Sequence, residues 1–277
     1  MIQNKHINRS IDFIMNHLDE DLSVEDVAQH CHFSKFHFCR MFKKETGESV
    51  YAFIKRLKME QSAFKLKTEN HKTITHIGLD YGYSPSNYSW TFKKHHRVSP
   101  AAFRKGVDRS LVNHPFFENK ISLLKTFEDY DQGVKIEHLA NFTVIFERRI
   151  GNYLDLGPNW RDFMEKYRPF FNEKTLLIER SYDDPSITGT GNCLYDICMT
   201  VEESCPLDNV TTIEGGKYAV YRFDGPIEDI FSAYQGLFRV WLPHSGHEMA
   251  QRYGLDIYRS VDTEKQRVVM DICIPVN

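Results

Sequence analysis

The sequence predicts a multidomain protein: an all-α half with two helix-turn-helix motifs, then an α+β half in which a strand-helix-strand-strand unit is written twice. Three observations carry this prediction. Residues 22–104 repeat themselves at an offset of fifty positions, the hydrophobic pattern changes from helical spacing to alternation after Gly133, and charge separates between the halves. Residues 1–106 hold 17 Lys and Arg against 11 Asp and Glu, a net +6, whereas the remainder holds 18 against 27, a net −9. A basic half and an acidic half imply different partners.

In the first half, Ile7, Ile11, Ile14, Met15 and Leu18 line one face of a helix that the Asp19-Glu20-Asp21 run ends. Ser23 is a good N-cap, and Glu25 and Asp26 suit the positive end of a helix spanning about Ser23–Cys31. Ser34 opens a helix of roughly Lys35–Glu45. It turns Phe38, Met41 and Phe42 inward and leaves Lys35, Phe36, His37, Cys39, Arg40, Lys43 and Lys44 outside. A helix over Ser49–Lys67 then carries Val50, Phe53, Ile54 and Leu57 on one side and Met59, Ala63 and Leu66 on the other. That pattern predicts a strut buried first against one lobe and then against another.

The second copy follows, with Thr73 as cap, a helix to Tyr81, a turn at Gly82, a helix from Pro85 or Ser86 to His95, and a closing helix over Val98–Arg104. Val27, Ala28, Phe33, Ser34, Phe38 and Phe42 recur as Ile77, Gly78, Tyr83, Ser84, Tyr88 and Phe92, and Lys43-Lys44 recurs as Lys93-Lys94. A short helix with a small packing residue, a tight turn and a second helix form a helix-turn-helix.

The boundaries expected are residues 1–106 for the helical domain, 107–133 for an ordered connector and 134–277 for the α+β domain. The connector carries Phe116, Phe117, Leu123, Leu124, Phe127 and Tyr130, too apolar for a free tether. Strands are expected over Val134–Ile150, Thr175–Arg180, Tyr195–Val201, Lys217–Phe223, Leu255–Arg259 and Arg267–Ile274, with helices near Pro158–Tyr167 and Ile227–Leu242. Tyr153, Trp160, Tyr195, Phe223, Phe238, Trp241 and Tyr258 exceed the aromatic needs of a small core. A carboxylate among them, Asp256, would attract organic cations.

Other classes are disfavoured. The six cysteines show no CxxC pair or zinc spacing, so no metal or cofactor is expected and the thiols read as reduced and packed. No run approaches the roughly 18 apolar residues of a membrane span, and the N-terminus lacks a signal-peptide stretch, which points to the cytoplasm. Nothing forms a nucleophile elbow or phosphate loop, so no catalytic residues are assigned and the chain is not expected to be an enzyme.

The pieces LSVEDVAQHCHFSKFHFCRMFKKETGES, YAFIKRLKMEQSAFKL and ITHIGLDYGYSPSNYSWTFKKHHRVSPAAFRK resemble the DNA-binding domain of AraC/XylS-type transcription regulators. The resemblance implies one monomer placing two recognition helices in successive major grooves of double-stranded DNA. It puts Phe36, Cys39 and Arg40 at base-facing positions, with Arg40 suited to guanine O6 and N7. Lys43, Lys44, Lys93 and Lys94 would meet phosphates, with Lys35 and His37 on the same face. Ser86, Asn87 and Ser89 would hydrogen-bond in the second groove, and Trp90, where an Arg is frequent, either stacks on DNA or packs internally. His96-Arg97 stands where the family commonly has Phe-Gly.

In the second half, RSYDDPSIT, CLYDICMTV, IEGGKYAVYRFDGP, VWLPHSG, LDIYRSV and VVMDICIPV resemble a GyrI-like effector-binding domain. That implies two repeats with an aromatic-walled cleft between them and an acid at its floor, here Asp256 in place of the usual Glu. The small-molecule site would then draw on Tyr153, Trp160, Tyr195, Phe223, Phe238, Trp241, Asp256 and Tyr258. Two alternatives stay open: a hydrolase using Asp256 with Tyr195 or Tyr258 as acid and base, and a protein-interaction module that contacts RNA polymerase.

Overall fold

The computed structural model describes residues 1–105 and 124–277. The chain divides into two compact units, Met1–Asp108 and Arg109–Asn277. Residues 107–123 of the expected connector lie outside the described residues.

The first unit comprises α1 (Lys5–Asn16), α2 (Val24–His30), α3 (Lys35–Thr46), α4 (Val50–Thr68), α5 (Ile74–Asp80), α6 (Pro85–His96) and α7 (Pro100–Arg104). Ser23 and Asp26 close a capping box at the start of α2, and Thr73 caps α5 by accepting from the His76 amide. Along α4, Val50, Phe53 and Leu57 are buried on one side and Met59, Ala63 and Leu66 on the other, so this helix is core to both lobes. Its Lys58 ammonium is buried and donates to the Glu20 carbonyl (2.8 Å) and the Tyr81 carbonyl (3.3 Å). One side chain thereby ties the loop before α2 to the end of α5.

The two motifs share backbone form but distribute glycine differently. In the first, His32 takes the left-handed turn position (φ 60°) and Gly47 follows α3 (φ 82°); in the second, Gly82 takes the turn (φ 79°) and Arg97 follows α6 (φ 65°). Each copy therefore holds one non-glycine residue in a conformation that favours glycine.

The second unit opens with α8 (Phe127–Gly133), followed by β1 (Val134–Leu139), β2 (Phe142–Gly151), α9 (Leu156–Lys166), β3 (Leu177–Ser181), β4 (Cys193–Thr200), β5 (Val210–Ile213), β6 (Gly216–Pro226), α10 (Ile230–Gly236), β7 (Gly254–Asp262) and β8 (Arg267–Pro275). The strands form one antiparallel sheet in the order β1-β6-β8-β7-β3-β4-β2-β5. The repeats β2-α9-β3-β4 and β6-α10-β7-β8 are joined where β3 pairs with β7, in a pseudo-two-fold arrangement. Residues obey it: Asp196-Ile197-Cys198 of β4 recurs as Asp271-Ile272-Cys273 of β8, and Arg180-Ser181 of β3 recurs as Arg259-Ser260 of β7.

The expected strand over Val134–Ile150 is two strands, because β1 pairs with β6 of the second repeat while β2 pairs with β4 and β5 of the first. β5, which alternation did not predict, mirrors this by leading into β6 while pairing with β2. A β-carbon on Gly215 would stand 2.1 Å from the Leu139 carbonyl oxygen, so the two linkers approach at a point that only glycine fits. The expected helix over Ile227–Leu242 opens as a 3-10 turn, runs as α10 and widens over Leu237–Trp241. The end of the expected connector is core: Tyr130 of α8 packs with Tyr221, Trp241, Met270 and Ile272.

Each repeat also places an Asp between two Arg side chains. Asp196 accepts from Arg148 (2.8 Å) and Arg180, with Arg148 and Asp196 fully buried. At the equivalent position Asp271 accepts from Arg222 and Arg259, whose side chains are 58% and 40% exposed.

Candidate functional site

In the first unit, α3 and α6 present the same order of buried and exposed residues. Phe38 and Phe42 in α3, like Tyr88 and Phe92 in α6, are fully buried against their lobes. Lys35, Phe36, His37, Arg40, Lys43 and Lys44 are exposed on α3, with Cys39 half-buried; Ser86, Asn87, Ser89, Trp90, Lys93 and Lys94 are exposed on α6. Phe36 is 83% exposed and Trp90 60%, so both rings are open to a partner on these helix faces. Trp90 does not pack internally: its outer ring face carries the Lys94 ammonium at 5.0 Å from the ring centre. Lys35 is held by an ion pair with Glu25 of α2, so it is less free than the other lysines.

In the second unit, alternation along β3 and β7 sorts side chains by face. Ile178 and Ile257, paired in register, fill a core with Val144, Cys198 and Leu255 on one face. Their neighbours Glu179 and Asp256, also paired in register, turn to the other face, where the helices lie. Glu179 is 2% exposed and Asp256 4%. Each carboxylate accepts one tyrosine hydroxyl: Tyr258 donates to Glu179 (3.0 Å) and Tyr234 of α10 donates to Asp256 (2.6 Å).

Burial pushes the Asp256 carboxyl up to about 7, against the Tyr234 hydrogen bond, which pulls it down. Burial and then the neighbouring Asp256 hold Glu179 well above the usual carboxylate range, with Tyr258 pulling it back. Around the pair stand half-buried rings. Trp160 of α9 meets Tyr258 edge-on (5.4 Å between centres), Tyr153 stacks on Tyr195 (4.9 Å), and Phe238 lies against Tyr234 (5.6 Å). The arrangement is a negative floor under aromatic faces, which favours a flat or bulky organic cation.

Of the residues predicted for this site, Asp256, Tyr258, Trp160, Tyr153 and Phe238 are brought around it. Tyr195 lies beneath Tyr153, 1% exposed, its hydroxyl accepting from Asn159 (2.9 Å). Trp241 and Phe223 belong instead to the core of the second repeat, where Trp241 is 1% exposed and donates to Asp131 (2.9 Å). The widened turn over Leu237–Trp241 aims the indole inward, which spacing alone could not reveal. The pairing of Asp256 with Tyr195 or Tyr258 is corrected too: its partner is Tyr234, and Tyr258 serves Glu179. Sequence reasoning did not find Glu179 or Tyr234. Aligning the repeated Ile178-Glu179-Arg180-Ser181 with Ile257-Tyr258-Arg259-Ser260 puts Glu179 at the position equivalent to Tyr258, and this is the sequence signal that could have found it. No group of three or more His, Cys, Asp or Glu side chains among the described residues could hold a metal. No helix among them is long and apolar enough to cross a membrane.

Comparison with known proteins finds a GyrI-like small molecule binding domain over residues 132–277, more than half the chain, and a helix-turn-helix domain over residues 15–106. The multiple antibiotic resistance protein MarA of Escherichia coli is 38% identical over 115 residues, covering 39% of this chain and 90% of MarA. This chain belongs to the AraC-type helix-turn-helix regulators and carries a GyrI-like domain. The transcriptional regulator YbfP of Bacillus subtilis is 36% identical over 124 residues; the match covers 44% of this chain and 42% of YbfP. Among solved structures, the C-terminal domain of AraT, a response regulator from Geobacillus stearothermophilus, is 30% identical over 37% of this chain and 86% of its own length, with a TM-score of 0.36.

Proposed function

We propose that this chain is a sequence-specific, DNA-binding transcriptional regulator whose GyrI-like unit binds an aromatic organic cation as effector. The observation that carries the DNA reading is the matched exposure of α3 and α6. The two helices expose equivalent positions, filled by Lys35, Phe36, His37 and Arg40 on α3 and by Ser86, Asn87, Ser89 and Trp90 on α6, each followed by an exposed Lys-Lys pair, while equivalent rings are buried beneath. Arg40 reads a base edge, and Lys43, Lys44, Lys93 and Lys94 neutralise phosphates. The effector reading rests on Glu179 and Asp256 under Trp160, Tyr153, Tyr234 and Phe238. Cation binding biases DNA affinity only if the two conformations of the regulator hold the cation unequally. RNA polymerase is the protein partner in this reading, and the cytoplasm its place of action.

The experiment is duplex binding by the full chain over a range of salt. Replacing Lys43, Lys44, Lys93 and Lys94 together by Ala lowers affinity on every sequence. It also flattens the slope of log affinity against log salt by roughly 0.9 for each phosphate no longer neutralised. An unchanged slope would remove these lysines from the interface.

A further inference from the structure

We propose that the GyrI-like site matches its own charge to that of its ligand: Glu179 and Asp256 act as one proton-sharing unit, singly ionised for a monocation and doubly ionised for a dication. This rests on the reading of the site as one for organic cations and goes beyond it by naming the charge classes accepted.

The β3–β7 register sets the two carboxylates side by side, both almost wholly buried, at the pseudo-two-fold centre of the sheet. A hydroxyl donor serves each, from Tyr258 and Tyr234, and among the described residues neither carboxylate forms an ion pair with Lys, Arg or His. The other titratable groups facing them bring no positive charge: Tyr153 follows β2, Tyr195 is on β4, and Asp183 after β3 adds negative potential to Glu179. Arg149 on β2, the cation beyond Tyr195, is engaged with Glu147 (2.9 Å) and Asn159 (2.8 Å). α9 contributes Trp160, which does not titrate.

Two like charges in such a site cannot both persist without a counter-ion, so the empty pair keeps a proton. A bound cation supplies the missing charge. A monocation balances the single ionisation present above neutrality, whereas a second positive charge makes the second ionisation favourable and expels that proton. The two steps belong to the pair rather than to either acid.

Ethidium and propidium test this, since they share one ring system and carry one and two permanent charges. The full chain without DNA is titrated with each at about pH 8 in buffers of different ionisation enthalpy, which counts the protons released. The expected result is about one more proton released by propidium than by ethidium. Glu179→Gln and, separately, Asp256→Asn keep one acid each and lose that difference, whatever their affinity for the dyes. Equal release by the two dyes on the unaltered chain overturns the proposal, as does a difference that survives either substitution. Failure of ethidium to bind at any pH from about 6 to 9 overturns the cation reading beneath it.

Discussion

Replacing Gly78 by Ala sets two effects of opposite sign against each other in α5. A methyl group there would lie 2.8 Å from Tyr88 Cγ, 2.9 Å from Cδ1 and 3.0 Å from Cβ. Carbon pairs settle at about 3.5–4.0 Å, so three atoms would overlap by roughly 0.7 Å. Tyr88 has little room to retreat: it is fully buried, and its ring is flanked by Phe92 (5.6 Å) and Tyr83 (6.3 Å). Overpacking of this kind costs about 1–3 kcal/mol. Removing a glycine from a helix returns about 1 kcal/mol. The balance is a net loss of about 1 kcal/mol, confined to the second helix-turn-helix. Native-state hydrogen exchange on the full chain reads it as roughly three- to tenfold faster exchange of α5 and α6 amides, with α2 and α3 unchanged. Unchanged or slower exchange in α5 would mean that Tyr88 yields freely and that the packing argument is wrong.

Arg97→Gly should stabilise the second motif by about 1 kcal/mol, since Arg97 holds φ 65° where the first motif has Gly47; a lowered melting temperature would contradict this. Asp196→Asn removes the charge shared by two buried guanidiniums and should cost about 3–5 kcal/mol, whereas Asp271→Asn, between half-exposed arginines, should cost about 1 kcal/mol. Equal losses in urea denaturation would refute this dependence on burial. Asp256 has its folded pKa raised to about 7, so it disfavours the folded state once the unfolded carboxyl ionises above about 4, and the penalty grows until pH 7. The second unit should therefore be less stable at pH 8 than at pH 5.5 by about 2 kcal/mol for one such ionisation, a gap that replacing both acids of the pair, Glu179→Gln with Asp256→Asn, removes. A gap the double substitution leaves intact would place the proton elsewhere.

The first unit was legible in the sequence because its signals are local. Capping residues such as Ser23 and Thr73 fall at helix starts, the stripe on α4 changes sides where the lobe changes, and the duplication fixes the rest. The second unit was legible in its repeats but not in its connections. The exchange of β1 and β5 between repeats depends on pairing between residues far apart in the chain, such as Lys135 with Val220 and Val144 with Thr211, which no short-range pattern records. The site suffered likewise. Asp256 stood out as an acid among aromatics, but Glu179 sits in a strand that reads as ordinary alternation, and only the β3–β7 register brings it alongside. Trp241 reads as a wall of the cleft in the sequence because nothing there records the widened helical turn that rotates it into the core.

The central claim, two helices of one chain reading DNA, is met most directly by selecting preferred duplexes with the full chain at physiological salt and repeating the selection with Arg40→Ala. The expected result is a defined site about two helical turns long, weakened by about 1–3 kcal/mol and relaxed at one position by the substitution. Binding without sequence preference, or a selected site identical in both proteins, would contradict it.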